Sequence, residues 1–151
     1  MSLPPCGVYR TTAPIGAVPA GRLVYFHNHG DPGPGIYLPT AWKYNRAEFD
    51  KTGQVLQDLA WVEWLEPLPP EGFYRVVAPF HCCEKLCRKF DEDMLLQLGY
   101  NANAEPILFL PELVDSMLAV PTQGWKTTRE TVANLQQLQI PVSKRDARPP
   151  Q

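Results

Sequence analysis

Residues 27–35 read HNHGDPGPG and residues 81–87 read HCCEKLC. Together these two stretches hold all 3 histidines and three of the 4 cysteines. Chemistry that needs an imidazole or a thiolate therefore draws mainly on them. Zinc takes four N or S donors in a tetrahedron, and catalytic sites leave one position to water. On a strand, His27 and His29 share a face, because side chains alternate with period two. His81, Cys82, Cys83 and Cys87 supply the remaining ligands if their segment neighbours that strand. The spacing does not help this reading: C-C-x3-C is not a C-x2-C knuckle, and no second knuckle follows. A structural reading competes with it. Cys83, Leu86, Cys87 and Phe90 fall at i, i+3, i+4 and i+7, one face of two helical turns, where a free cysteine packs as a small hydrophobe.

Other chemistries have less to stand on. A cysteine nucleophile needs a histidine base and a third group to orient it, a role open to Asp31 or Asn28. His81 and Cys82, as strand neighbours, point to opposite faces, and no G-x-S-x-G elbow or cysteine-protease signature occurs. A redox-sensing thiol at Cys82 or Cys83 requires a depressed pKa, for which Lys85 and Arg88 are the nearby charges. GDPGPG is not a phosphate loop, since its two prolines remove the N–H donors a phosphate needs. It reads as a rigid hairpin turn. Asp91, Glu92 and Asp93 lack EF-hand spacing and read as a solvated loop.

These residues must be positioned by local elements. Residues 22–28, RLVYFHN, are rich in β-branched and aromatic types and follow Gly21, so they predict a strand. Leu23, Tyr25, His27 and His29 take one face; Val24, Phe26 and Asn28 take the other. Ile36 to Leu38 resume a strand after the Gly/Pro turn, completing a hairpin. Residues 40–53 suggest a short helix between Thr40 as N-cap and Gly53 past its end. Residues 58–68 suit either a helix or a strand. Residues 73–80 predict a strand, as do 94–100 and 107–111 around the turn 101–105, and 116–121. Thr127 and Glu130 form a capping-box pattern before Val132, Leu135 and Leu138, which predicts a helix over 128–139.

Only that last helix is strong, and parallel strands need crossovers, which argues against a doubly wound fold. The 17 prolines, spread evenly, favour many short elements. The expected class is mainly-β α+β. It has about five to seven strands in a largely antiparallel, partly closed sheet, with one C-terminal helix packed on it. At 151 residues the chain fits a single globular domain over 7–142. Residues 1–6 and 143–151 are expected as flexible tails.

Charge and composition narrow the function. Lys and Arg total 14 against 16 Asp and Glu, a net charge of −2, which gives no bulk case for nucleic acid. No segment reaches the ~18 apolar residues of a membrane span, and MSLPPCGVYR is not a signal peptide. A soluble cytoplasmic protein is expected, with cysteines as thiols or ligands and not disulfides. Trp42, Trp61 and Trp64 are candidate interface residues, because tryptophan joins an apolar body to a polar edge. With no cofactor motif, the leading expectation is a non-enzymatic protein-interaction or assembly module. Its partner is a protein, a second copy included. The alternative is a zinc protein, structural or hydrolytic, using His27 and His29 with His81, Cys82, Cys83 and Cys87.

Overall fold

A computed structural model describes residues 2–30 and 33–144. Met1, Asp31, Pro32 and 145–151 lie outside the described residues, and with them the orienting role considered for Asp31 and most of the expected C-terminal tail. The fold is mainly β with antiparallel sheets and one short α-helix near the C-terminus. The chain divides into two compact units that interleave in sequence. The first takes Met1–Lys43, Ala47–Pro70 and Tyr100–Ala104; the second takes Tyr44–Arg46, Glu71–Gly99 and Glu105–Gln151. No helix among the described residues is long and apolar enough to cross a membrane.

The first unit is built on β1 (Gly7–Thr11), β2 (Leu23–His27), β3 (Gly35–Tyr37), β4 (Pro39–Lys43), β5 (Arg46–Phe49, save Arg46 itself), β6 (Gln54–Val55) and β7 (Leu65–Pro67). Five of these form a sheet in the order β6-β3-β2-β1-β7. The predicted strand and hairpin at 22–38 are present: β2 is the middle strand, and its Phe26 faces Ile36 across the β2–β3 pair. Val24 and Phe26 enter a buried cluster with Tyr9, Ile15, Val18, Ile36, Leu56 and Leu65. Phe26 meets the Tyr9 ring edge-on at 5.8 Å. The segment Tyr100–Ala104 is tied into this unit by three bonds. Tyr100 Oη donates to Pro69 O at 2.6 Å, Trp42 Nε1 donates to Tyr100 O at 2.8 Å, and Leu23 N donates to Ala102 O at 2.9 Å.

The helix expected over 40–53 is a two-stranded ribbon of β4 and β5. Tyr44 and Asn45 take φ of 52° and 64° at its turn. Two successive left-handed residues make the mirror-image turn whose twist matches a hairpin, and asparagine adopts it readily. The ambiguous stretch at 58–68 divides into a 3-10 helix, Leu59–Trp64, and β7. Asp58 caps the helix by accepting from Ala60 N at 2.9 Å.

The second unit holds β8 (Gly72–Val76), β9 (Phe80–His81), β10 (Lys89–Phe90), β11 (Leu95–Tyr100, save Tyr100 itself), β12 (Pro106–Phe109), β13 (Glu112–Val114), β14 (Met117–Ala119), β15 (Trp125–Lys126), α1 (Arg129–Val132) and β16 (Leu135–Gln137). Its sheet runs β15-β12-β11-β8-β16, with β9–β10 and β13–β14 as separate ribbons. The strands expected at 73–80, 94–100, 107–111 and 116–121 are all represented. The sixteen strands among the described residues far exceed the sequence expectation, because turns subdivide the runs.

The C-terminal helix is where the sequence reading overreaches. It is one turn, and Leu135 then joins the sheet edge opposite Val76. Thr128, Thr131 and Val132 are stiff β-branched residues with weak helix preference. Pairing with β8 satisfies more backbone groups than a solvated helix end would. The capping box also differs. Thr127 Oγ1 donates to Cys82 O at 2.8 Å. Glu130 bonds its own N–H and the Thr128 hydroxyl, which hold its carboxyl below the usual range.

Candidate metal-ligating groups

In the first unit, β1 and β2 pair antiparallel with Gly7 opposite Phe26. The residue before β1, Cys6, therefore faces the end of β2, where His27 stands. Cys6 Sγ lies 3.6 Å from His27 Nδ1 and 3.9 Å from His29 Nδ1. The two imidazole centroids are 3.9 Å apart. Tetrahedral bonds of ~2.3 Å to sulfur and ~2.0–2.1 Å to nitrogen set a sulfur–nitrogen edge of about 3.6 Å. The three side chains thus stand close to the spacing a shared ion requires. Cys6 and His27 are half-buried and His29 is exposed.

Asn28 holds the group together. Its backbone N–H donates to Cys6 Sγ at 3.3 Å, and its Oδ1 accepts from the Cys6 thiol at 3.2 Å. Its Nδ2 donates to Pro4 O at 3.1 Å, so Oδ1 is the end turned to His29 Nδ1, 2.7 Å away. A proton on His29 Nδ1 would complete that bond, and a metal bound there would displace it. The segment expected as a tail is held at Pro4 and also at Pro5, whose carbonyl accepts from Tyr9 Oη at 2.7 Å. Burial, and secondarily the charge of Cys6, raise the Tyr9 pKa. Gly30 follows with φ of 126°, a conformation L side chains rarely adopt, and so turns the chain just past His29.

In the second unit, β9 and β10 pair with His81 opposite Lys89 and Phe80 opposite Phe90. Cys82 N donates to Arg88 O at 3.0 Å at the base of the loop they enclose, and Leu86 N donates to Cys83 O at 3.0 Å in its turn. The helical face expected over 83–90 is not formed. Leu86 is left-handed, at φ 56°, and exposed, while the Phe80 and Phe90 rings stack at 5.1 Å and close a hairpin instead. The turn gathers the thiols: Cys82 and Cys83 Sγ are 3.9 Å apart, and Cys83 and Cys87 Sγ are 3.4 Å apart.

The three thiols differ in acidity. The Cys87 backbone N–H, followed by the Cys87 thiol, lowers the Cys83 pKa to about 7. Burial raises the pKa of Cys82, and the bond to Cys83 raises that of Cys87. Cys83 is therefore the first of the three to ionise as pH rises. The leading cause is a backbone dipole, not the Lys85 and Arg88 charges considered from the sequence.

The ligand atoms that approach within 4.8 Å of one another thus form two groups among the described residues, one in each unit. His27 and His29 group with Cys6; Cys82, Cys83 and Cys87 group together; His81 joins neither. Sequence reasoning missed Cys6, which belongs to no short motif. Only the strand pairing of β1 with β2 reveals it.

The three tryptophans are placed in the first unit. Trp61 packs against the core cluster and stacks on Trp64 at 6.2 Å, while Trp42 and Trp64 remain exposed at 43% and 38%. A larger apolar surface went unread. In the β13–β14 ribbon, Leu113, Val114, Met117 and Leu118 are from 54% to 74% exposed. Asp115 and Ser116 form its left-handed turn, so the signal was two apolar residues on each side of a D-S turn.

Comparison with known proteins finds no matching family model, no matching curated protein and no matching solved structure.

Proposed function

We propose that this protein binds zinc in its first unit through Cys6, His27 and His29. The observation that carries the reading is the approach of both Nδ1 atoms to one sulfur at 3.6 and 3.9 Å, near the edge length of a zinc tetrahedron. Two imidazoles and a thiolate are donors zinc accepts readily. Three protein ligands leave a fourth position for water or an outside donor, the pattern of an open site. Asn28 acts as a positioning residue, since it orients the thiol and one imidazole at once.

Elemental analysis tests this in a chain freed of the second thiol group. The Cys83→Ser/Cys87→Ser variant, reduced and dialysed against a slight zinc excess, is expected to hold one zinc. The same variant carrying Cys6→Ser and His27→Ala is expected to hold none. Cobalt substitution supplies a second readout, because a tetrahedral site with a thiolate ligand shows intense visible and near-ultraviolet bands. Equal metal in both variants, or none in either, overturns the proposal.

A second reading, a protein-interaction module, is favoured by the β13–β14 ribbon. Two strands alone are marginally stable in water, and apolar side chains exposed on both of them mark an association surface. The occupant we propose is a second copy, since the outer edges of the ribbon offer unpaired backbone groups that a like ribbon satisfies. The wild type is expected to sediment as a dimer at tens of micromolar, and Leu113→Lys/Leu118→Lys as a monomer. A monomeric wild type removes this reading.

A further inference from the structure

The Cys82–Cys87 loop is separate from the zinc site proposed above and has a different donor set. We infer that its three thiols form a site for a soft monovalent d10 cation of the Cu⁺ class, held as a three-thiolate complex in the second unit.

Geometry is the first support. Three coplanar bonds of ~2.3 Å hold sulfurs about 4.0 Å apart. The Cys82–Cys83 pair stands at 3.9 Å and the Cys83–Cys87 pair at 3.4 Å, and all three sulfurs lie within 4.8 Å of one another. Opening the Cys83–Cys87 pair by about 0.6 Å, with Cys82 and Cys87 brought to the same separation, completes the triangle. The frame for that adjustment is present. Cys82 is buried and fixed at both backbone groups, its N–H on Arg88 O and its C=O on Thr127 Oγ1. Cys83 and Cys87 lie on the turn, half-buried and exposed, where side chains move without disturbing the core.

The donor chemistry is the second support. The group contains sulfur alone, with no imidazole and no carboxylate. Thiolates select soft cations such as Cu(I). Zinc would need a fourth ligand from outside the loop, since His81, the nearest imidazole in sequence, does not join the group. A three-coordinate monovalent cation is satisfied by the ligands the loop possesses. Lys85 and Arg88 outnumber Glu84 within the same loop and leave it net positive beside an anionic complex. Binding transfers no electrons: each sulfur still protonated releases its proton to solvent, and a thiolate already present on Cys83 releases none, as three Cu–S bonds form.

Anaerobic titration with Cu⁺, supplied as its acetonitrile complex against a competing chromogenic chelator and a phosphine reductant, tests the site. The wild type is expected to withdraw one equivalent more than Cys83→Ser/Cys87→Ser, both substitutions being outside the core. Cys87→Ser alone is expected to weaken uptake at least tenfold. Cys6→Ser is expected to keep this equivalent, so failure of the zinc proposal leaves the result intact and failure here leaves the zinc proposal intact. Equal uptake by wild type and the double variant overturns the inference, as does no uptake by either. Zn²⁺ occupying the same thiols as tightly as Cu⁺ overturns the monovalent assignment.

Discussion

Phe26→Ala is expected to destabilise the first unit by about 3–5 kcal/mol, the usual range for removing a buried phenylalanine. The ring is fully buried in the middle strand of its sheet. It lies edge-on to Tyr9 and shares its cluster with Val24, Ile36 and Leu56. Strands on both sides fix the backbone through the Gly7 and Ile36 pairings, so the surroundings cannot collapse into the vacated space. Both the lost apolar transfer and the residual cavity then contribute. Phe26→Leu fills most of that volume and is expected to lose about 1.5 kcal/mol or less. Equilibrium denaturation followed by fluorescence suits the measurement, since Trp42, Trp61 and Trp64 all belong to the first unit. A loss under ~1 kcal/mol for Phe26→Ala would show that the cluster does not close around this ring.

Zinc at about one hundred times its dissociation constant is expected to add ~2.7 kcal/mol to the stability of the folded chain by mass action. At 2–4 °C per kcal/mol for chains of this size, the melting temperature should rise by about 5–11 °C. The physical route is short. Cys6 precedes β1, His27 ends β2, and His29 follows two residues on, so one ion fastens the two strands on which the core cluster is built. A chelator should reverse the rise, and Cys6→Ser/His27→Ala should show none. An equal rise in that variant would place the stabilising ion elsewhere.

Strands were the most legible part of the sequence. Leu23 to His27 combine β-branched and aromatic residues with a period-two pattern, and the following Gly/Pro turn has no competing use. The same patterning misled where helix spacing was sparse. Cys83, Leu86, Cys87 and Phe90 match a helical face by interval alone. Phe90 instead pairs with Phe80, and Leu86 takes a left-handed turn that no spacing rule encodes. At 128–139 a local capping pattern was overridden by a non-local event, the pairing of Leu135 with Val76. The candidate sites divide in the same way. Cys83 and Cys87 are near in sequence and easily noticed. Cys6 is 21 residues from His27, and its role exists only through the register between two strands.

The segment Tyr100–Ala104 is short, but it governs how the protein can be dissected. A fragment ending at Pro70 would contain every strand of the first sheet, yet it would lack the carbonyls that receive Leu23 N and Trp42 Nε1 and the hydroxyl bound to Pro69 O. The complementary fragment would carry those five residues without their partners and would lack Asn45, whose side chain donates to Gln97 Oε1 at 3.0 Å and Pro121 O at 2.9 Å. No single cut separates the two units. Neither is a contiguous stretch to be shuffled or grafted, and the metal titrations proposed for Cys6/His27/His29 and for Cys82/Cys83/Cys87 belong to the intact chain.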